Sequence, residues 1–389
     1  MKIIHTVESY LPARHGMQEV VTRLSEGLSR LGHDVSIVTR ADSSRTKAGI
    51  NGVKIYPFKL SGCLANGVEG DQQSYKDFLL NGDYDVIVNF AAQQWATDVM
   101  LPILPRLKAK KVFVPTGFSG LHNPLFHDYY RKMQDWIKLY DASVFLSNNY
   151  QDIEFARKNG ARNVVVIPNG ASKEEFFPLS PISIKKHLQI SKDNMLLLHV
   201  GSYTGAKGHD EAIKIFSRSK LPPSTLLLVG QNEGYFKKKR KAVMFSLLNK
   251  FNSFKGKQVI STSLSRAETV AAFQQADLFL FPSQLECSPI VLFEAMAGKT
   301  PFLATDVGNT REIIQWSGSG VLLPTHKKRK GFCHAHVGRS AKILSEMASD
   351  CKKMIEMAQE GHRVWQEKFT WEQITKQYET LYQRLLNEA

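Results

Sequence analysis

Cysteine and long apolar runs are scarce in this chain of 389 residues. Its four cysteines (Cys63, Cys287, Cys333 and Cys351) have no CxxC spacing, so neither a disulfide framework nor a structural zinc site is expected, and a reducing compartment is favoured. No stretch approaches the ~18–20 apolar residues of a spanning helix. The opening residues, MKIIHTVESY, lack the apolar core of a signal peptide. We therefore expect a cytoplasmic protein, at most peripheral on the inner face of the cytoplasmic membrane.

Acidic residues are also scarce relative to basic ones, with 36 Asp and Glu against 51 Lys and Arg, a formal net charge of +15. The imbalance lies in the second half of the chain. Residues 1–180 contain 21 basic against 18 acidic side chains, whereas residues 181–389 contain 30 against 18. This distribution indicates an anionic partner for the second half, such as a phosphate compound, a nucleic acid or an acidic membrane surface.

Short, continuously apolar segments alternate with amphipathic helical stretches along both halves of the chain. Such segments are typical of parallel strands that are covered on both faces. The alternation occurs twice and predicts an α/β protein of two doubly wound, Rossmann-like domains. The prolines of Phe177–Pro181 interrupt the pattern. We therefore predict an N-terminal domain over residues 1–178, joined by a C-terminal helix over 371–389, and a second domain over 179–370. The predicted strands are Lys2–Thr6, Asp34–Thr39, Val86–Phe90, Lys111–Val114, Ala142–Leu146, Asn163–Ile167, Leu196–Val200, Thr225–Val229, Gln258–Ser261, Leu278–Phe281, Pro301–Ala304 and Gly320–Leu323.

The segment FPSQLECSPIVLFEAMAGKTP, residues 281–301, combines a strand end, a helix start and two glutamates. Ser288 is predicted to cap a helix with Pro289 in its first turn. Free amides at a helix start bind phosphate groups. The carboxylates of Glu286 and Glu294 accept hydrogen bonds and suit the vicinal hydroxyls of a sugar or ribose. Two solvent-facing glutamates are the alternative interpretation of this segment taken alone.

Taken with other motifs in the same order, this segment resembles the donor site of the family 4 retaining glycosyltransferases. That resemblance implies the GT-B fold, in which two Rossmann-like domains face a central cleft. The first domain then holds the acceptor and the second holds a nucleotide sugar. The further matching segments are His15–Val21 with Leu31–Val35, Ile167–Gly170 with Phe176, His199–Gly201 with Lys207 and Gly208, and Phe369–Trp371.

The resemblance also implies roles for individual residues. Glu286 binds donor-sugar hydroxyls beside the reacting carbon, and Lys207 supplies positive charge to the leaving phosphate. Glu294 binds the ribose. Gly16 and Gly201 belong to the two phosphate-contacting loops. The remaining donor-site predictions are Ser202, Ser263 in the base-contacting segment 261–264, Ser288, and the backbone of Pro289, Ile290 and Val291. No cofactor or metal is expected, because helix amides and Lys207 carry the charge.

Two positions depart from the family pattern. Ser202 stands where an arginine is usual, which removes one of two expected cations. A histidine is common where Thr116 or Gly117 stands. His122 could replace it, with an ordinary loop histidine as the alternative, and Glu8, Thr116 and His122 are the acceptor-side candidates. These departures leave room for a second hypothesis, a nucleotide-sugar or polyanion binding module without transferase activity.

The expected partners are a nucleotide-sugar donor, with UDP favoured, and a glycan or lipid-linked acceptor. Residues 237–257 contain eight Lys and Arg, no acid, and interleaved apolar side chains. This composition is typical of an amphipathic helix attracted to an anionic membrane. A nucleic-acid patch and a helix that packs on its own domain are the alternatives, and we expect no nucleic-acid partner.

Overall fold

The computed structural model describes residues 1–12, 16–230, 246, 248–250, 252–328 and 332–388. The chain divides into two compact units, each built around a mainly parallel sheet. Unit 1 comprises Met1–Asn169 with Trp371–Ala389, and unit 2 comprises Gly170–Thr370.

Unit 1 contains an eight-stranded sheet in the order β10-β9-β8-β7-β1-β2-β4-β3. Its pairings are parallel except for β3 with β4. A separate antiparallel pair is formed by β5 and β6. The strands are β1 (Lys2–Thr6), β2 (Asp34–Arg40), β3 (Gly49–Ile50), β4 (Val53–Phe58), β5 (Leu60–Cys63), β6 (Gly67–Gly70), β7 (Val86–Phe90), β8 (Lys110–Val114), β9 (Ala142–Phe145) and β10 (Val164–Val166).

Helices connect most of these strands, because parallel strands need a crossover connection. The helix at the end of the chain also belongs to this unit, and its Glu379 Oε1 lies 2.8 Å from His33 Nε2, just after the first helix. Short 3₁₀ turns cover Leu101–Arg106, Pro124–Phe126 and Ile137–Leu139. The α-helices of unit 1 are α1 (Gly16–Arg30), α2 (Gln72–Asn81), α3 (Trp95–Asp98), α4 (His127–Trp136), α5 (Gln151–Lys158) and α14 (Trp371–Asn387).

Unit 2 contains a six-stranded parallel sheet in the order β13-β12-β11-β14-β15-β16, and β17 and β18 form an antiparallel ribbon. Its strands are β11 (Met195–Val200), β12 (Ser224–Val229), β13 (Lys257–Thr262), β14 (Leu278–Phe281), β15 (Phe302–Thr305), β16 (Gly320–Leu323), β17 (Thr325–Lys327) and β18 (Cys333–Ala335). Its helices are α6 (Lys173–Phe176), α7 (Ile184–His187), α8 (His209–Arg218), α9 (Arg266–Gln275), α10 (Ile290–Ala297), α11 (Thr310–Ser317), α12 (Val337–Ser349) and α13 (Cys351–Lys368).

Every predicted strand is present to within one or two residues at its ends. The passage between units lies at Asn169–Gly170, earlier than the predicted boundary at residue 178. The reason is packing: Ala171 and Phe176 are buried in the core of unit 2. The Nε1–H of Trp365 also donates to the carbonyl of Ala171.

The predicted basic helix over 237–257 falls largely on residues that lie outside the described ones. Its described residues 246, 248–250, 252 and 253 are helical, whereas the end of the segment differs from the prediction, because Lys257 begins β13 and is buried. The Lys257 Nζ donates to the carbonyl oxygens of Phe216 and Ser219, at 2.8 and 2.5 Å, at the end of α8. Burial lowers the pKa of Lys257 to about 8. Among the described residues, no helix combines the length and the apolar character required to cross a membrane.

Candidate active site

Two loops meet at the carboxyl edge of the unit 2 sheet, where open α/β sheets bind their ligands. Residues 201–208 follow β11, and residues 282–289 follow β14. The two strands are neighbours, with Leu197 opposite Leu278. This pairing brings Lys207 and Glu286 together although they are far apart in sequence.

Lys207 and Glu286 form a close ion pair at this edge, with Nζ 2.7 Å from Oε1. The same oxygen accepts a hydrogen bond of 2.7 Å from the Ser283 hydroxyl. The Glu286 side chain is 9% exposed and that of Lys207 is 28% exposed. A largely buried carboxylate therefore lies beside a cation that still reaches solvent, as phosphate or hydroxyl binding requires.

Backbone contacts between the two loops hold Lys207 and Glu286 in place. Gly208 has φ +73°, and a Cβ added there would lie 1.9 Å from the carbonyl oxygen of Pro282. The Gln284 amide donates to the carbonyl of Ala206 at 2.8 Å. Because Lys207 lies between these two contacts, its position follows from the backbone of the β14 segment.

The start of α10 differs from the predicted helix start. Pro289 occupies the N-cap position, the helix begins at Ile290, and no side chain caps it. The predicted cap, Ser288, instead accepts a hydrogen bond of 3.1 Å from Asn309 Nδ2. Proline cannot accept a side-chain hydrogen bond, and the loop after β15 engages the serine. The amides of Ile290 and Val291 thus lie in the first turn, where a helix favours anions.

Glu294 lies inside α10, and its side chain is only 5% exposed. Its Oε1 lies 2.5 Å from Nη1 of Arg266, at the start of α9. Arg266 also contacts Glu175 of α6, with Nη2–Oε2 at 2.7 Å and Nε–Oε1 at 3.2 Å. Arg266 and Glu175 were not predicted as site residues, because both lie outside every motif and come close to Glu294 only in the folded chain.

The remaining donor-site predictions flank this pair of loops. Gly201 directly follows β11, and a Cβ there would lie 3.1 Å from Lys207 Cβ, so its lack of a side chain leaves room for the lysine. Ser202 is exposed. Ser263 is also exposed, and its hydroxyl donates to the carbonyl of Gly230 at 2.9 Å. The Tyr203 hydroxyl lies 2.7 Å from Ser261 Oγ, so the second loop touches the predicted base-contacting segment.

His199 on β11 is a further residue near this site that sequence analysis did not assign. It is fully buried, and its Nδ1–H donates to the carbonyl of Leu280 at 2.8 Å. Burial is the main cause that lowers the pKa of His199 to about 4; the hydrogen bond to Leu280 opposes the shift and the charge of Lys207 adds to it. The imidazole is therefore neutral at pH 7, and its hydrogen bond joins β11 to β14.

The acceptor-side candidates and Gly16 belong to unit 1. Glu8 follows β1, and its amide donates to Gln94 Oε1 at 2.8 Å. Thr116 follows β8 with φ +57°, and His122 is exposed in a turn. Gly16 is exposed and begins α1.

The loop after β8 is held in an unusual conformation. Thr116, Gly117 and Phe118 all have positive φ, at 57°, 110° and 48°. The Gln151 side-chain amide donates to the carbonyls of Gly117 and Phe118, at 2.9 and 2.8 Å. Next to it, Asp152 is buried, and burial raises the pKa of its carboxyl to about 6. Left-handed backbone at non-glycine residues persists only where the surroundings impose it, and it is concentrated at functional sites.

Two known protein families match most of the chain. Residues 182–360 match the family described as Glycosyl transferases group 1, and residues 14–175 match Glycosyltransferase Family 4. The chain belongs to the family 4 glycosyltransferases. The two matches together take in most of both units, which confirms the family predicted from the sequence motifs.

Characterised proteins of similar sequence are glycosyltransferases of several kinds. N-acetyl-alpha-D-glucosaminyl L-malate synthase of Bacillus anthracis is 24% identical, over 58% of this chain and 55% of that protein. D-inositol 3-phosphate glycosyltransferase of Xylanimonas cellulosilytica is 22% identical over 80% of each chain. An Escherichia coli UDP-Gal:alpha-D-GlcNAc-diphosphoundecaprenol alpha-1,3-galactosyltransferase is 22% identical, over 91% of this chain and 92% of that one.

Solved structures confirm the GT-B fold. Sucrose-phosphate synthase from Thermosynechococcus elongatus superposes with a TM-score of 0.76 at 17% identity and full coverage of both chains. Anabaena HepE in complex with UDP and glucose superposes with a TM-score of 0.70 at 16% identity, over 98% of this chain and 99% of that one. Within the residues that the structure describes here, no group of three or more His, Cys, Asp or Glu side chains is arranged to hold a metal ion.

Proposed function

We propose that this glycosyltransferase moves a sugar from a nucleotide-diphosphate donor, with a UDP-sugar favoured, to a glycan or lipid-linked acceptor with retention of configuration. The observation that carries the proposal is the Lys207–Glu286 ion pair of 2.7 Å at the carboxyl edge of the unit 2 sheet. A neighbouring helix start without a side-chain cap supports it, because such a start suits a diphosphate.

The proposed reaction uses positioning and electrostatics more than proton transfer by a side chain. The bond between the anomeric carbon and the leaving phosphate oxygen breaks, and the acceptor oxygen bonds to that carbon on the same face of the sugar. The acceptor proton passes to the departing diphosphate. Lys207 and the amides of Ile290 and Val291 stabilise the charge on the diphosphate, while Glu286 orients the sugar hydroxyls.

In this proposal no metal ion is needed for the leaving group, because Lys207 and the N-terminus of α10 supply positive charge from the two loops at this edge of the sheet. Ser202 contributes no positive charge where the family usually has arginine. Diphosphate binding therefore depends more heavily on Lys207 than in a typical family member.

The preference for UDP and for a glycan or lipid-linked acceptor draws on the relatives. HepE was crystallised with UDP and with UDP-glucose. The relatives include enzymes named for L-malate, inositol phosphate and diphosphoundecaprenol acceptors. We further propose that the basic segment 237–257 attracts the protein to an anionic membrane surface, and that the net charge of +15 on the whole chain adds to this attraction.

Thermal unfolding with UDP, GDP or ADP, each in EDTA and then with magnesium, tests the donor site. A ligand at 100 times its dissociation constant adds about 2.7 kcal/mol to the free energy of unfolding. We expect UDP to stabilise the protein in EDTA. Absence of stabilisation by all three nucleotides would contradict the proposal. Stabilisation without any sugar turnover would favour the binding-module alternative.

A further inference from the structure

Arg266 links two acidic side chains of unit 2, and one of them is the buried Glu294. It occupies the first position of α9, after the N-cap Ser265. Nη1 lies 2.5 Å from Glu294 Oε1, and Nη2 and Nε lie 2.7 and 3.2 Å from the two carboxylate oxygens of Glu175. The guanidinium also lies over the Phe176 ring, 5.9 Å from its centroid.

The Glu175 contact fixes the plane of the guanidinium. Two parallel N–H donors to one carboxylate form a bidentate pair, which is geometrically specific. With Nε and Nη2 occupied by Glu175, Nη1 is directed at Glu294. Arg266 therefore has an imposed orientation, although its side chain is 27% exposed.

The charge of Arg266 also decides the state of Glu294. A carboxylate that is 5% exposed is costly to bury as an anion unless a cation accompanies it. Without that cation the protonated form is favoured, and a protonated carboxyl loses much of its capacity to accept hydrogen bonds. Both the orientation and the acceptor capacity of Glu294 thus depend on a residue of another helix.

We propose that Arg266 is a positioning residue for donor binding: held by Glu175, it keeps Glu294 ionised and oriented to accept hydrogen bonds from the ribose hydroxyls of the nucleotide. This inference rests on the proposed function, since it assumes a nucleotide donor at α10. Arg266 acts through Glu294 and does not touch the reacting atoms.

Discrimination between ribose and deoxyribose tests this role directly. UDP, GDP and ADP are first titrated into the wild-type protein by calorimetry, and the tightest binder is compared with its 2′-deoxy form. We expect the wild type to prefer the ribonucleotide about tenfold, or about 1.4 kcal/mol. In Arg266→Gln the preference should fall to about twofold or less, because the 2′-hydroxyl has lost its charged acceptor. Arg266→Lys keeps the positive charge but cannot form the bidentate contact. Its preference for the ribose form should lie between those of the wild type and Arg266→Gln.

The control is Arg363→Gln. Arg363 on α13 also pairs with two glutamates, Glu360 and Glu367, but its side chain is 54% exposed. This variant should discriminate as the wild type does. Glu175→Gln, which leaves both Arg266 and Glu294 in place, should lower the preference partially. Glu175→Gln therefore tests the same role by the same measurement if Arg266→Gln does not fold.

The outcomes separate the two proposals. If the wild type binds none of the three nucleotides, the proposed function fails and this inference fails with it. If the wild type binds a nucleotide and prefers the ribose form, the proposed donor site stands, and the variants decide the role of Arg266. An unchanged preference in both Arg266→Gln and Glu175→Gln, or no ribose preference in the wild type, overturns the role of Arg266.

Discussion

At the scale of single residues, the geometry of the candidate site is set by two hydrogen bonds to one carboxylate oxygen. Glu286 Oε1 accepts from both Lys207 Nζ and Ser283 Oγ, each at 2.7 Å. Two donors to one oxygen hold the carboxylate in a single orientation, which its proposed role of binding sugar hydroxyls beside the reacting carbon requires.

Replacing Glu286 by glutamine should reduce kcat far more than it weakens donor binding. The substitution keeps the size of the side chain but removes the negative charge near the reacting carbon. Loss of one well-placed electrostatic contact in an active site costs about 10²–10³-fold in kcat. Steady-state kinetics with a nucleotide sugar measure both quantities. Glu360→Gln, an exposed change on α13, is the control. Equal losses in kcat and in donor affinity would remove Glu286 from its assigned role.

Replacing Lys207 by alanine should weaken nucleoside diphosphate binding about tenfold or more and leave nucleoside binding almost unchanged. In the proposed function the lysine supplies a charge-assisted contact to phosphate, and a nucleoside has no phosphate. Calorimetric titration of UDP and uridine into wild type and variant measures the difference. Identical losses for the two ligands would show that Lys207 makes no phosphate contact.

Asp152 should make the stability of the protein depend on pH in a definite direction. Burial raises the pKa of its carboxyl from 3.8 to about 6. Between these two pH values the folded protein keeps a proton that the unfolded chain has released. This contribution to stability is fully present below pH 3.8 and is lost as the pH rises through about 6. The shift corresponds to up to about 3 kcal/mol.

Asp152→Asn removes this titration. Its free energy of unfolding, relative to wild type, should therefore rise by about 2 kcal/mol between pH 4.5 and pH 7.5 in urea denaturation. Asp135→Asn, at an exposed carboxylate on α4, is the matched control and should show a much smaller change. If the difference between Asp152→Asn and wild type is the same at both pH values, the carboxyl does not titrate as stated.

At the scale of elements, the junction of the Lys207 loop with the β14 segment depends on a glycine. Gly208→Ala should destabilise unit 2 by several kcal/mol, because the new Cβ would meet the Pro282 carbonyl at 1.9 Å. Gly205 is the control: its φ is +88° and nothing lies within 4 Å of an added Cβ. Gly205→Ala should cost only the ~1–2 kcal/mol of left-handed backbone. Urea denaturation compares the two, and equal costs would show that the close approach to Pro282 is unimportant.

Elements with a local signal could be predicted from the sequence. Each major strand is a continuous apolar run, and parallel strands buried on both faces leave that pattern regardless of the rest of the fold. The glutamates and Lys207 could be found because they lie at fixed spacings within motifs.

What depends on distant contacts could not be predicted. Ser288 has the composition of a helix cap, but Asn309 engages its hydroxyl. The unit boundary lies at Asn169–Gly170 because the side chain of Phe176 packs in the hydrophobic core of unit 2. Arg266 lies in no motif, and its position beside Glu294 follows from the packing of α9 against α10.

At the scale of the whole molecule, the net charge of +15 predicts salt-dependent membrane binding. Vesicles that contain anionic phospholipid should co-sediment the protein at low salt and release it at high salt, whereas neutral vesicles should not bind it. Replacing the five basic residues of 237–241 by glutamine should weaken this binding strongly. Binding that is unaffected by salt and by these substitutions would contradict an electrostatic origin in this segment.

The most direct test of the central claim is nucleotide-sugar turnover by the wild type and by Glu286→Gln in EDTA, followed by proton NMR. The panel comprises UDP-, GDP- and ADP-sugars. We predict release of one nucleotide, UDP in the favoured case, without metal. The first-formed product should keep the anomeric configuration of the donor, and turnover by the variant should be at least about 100-fold slower. Inverted product, a strict requirement for metal, equal rates in the two proteins, or no release from any donor would contradict the account.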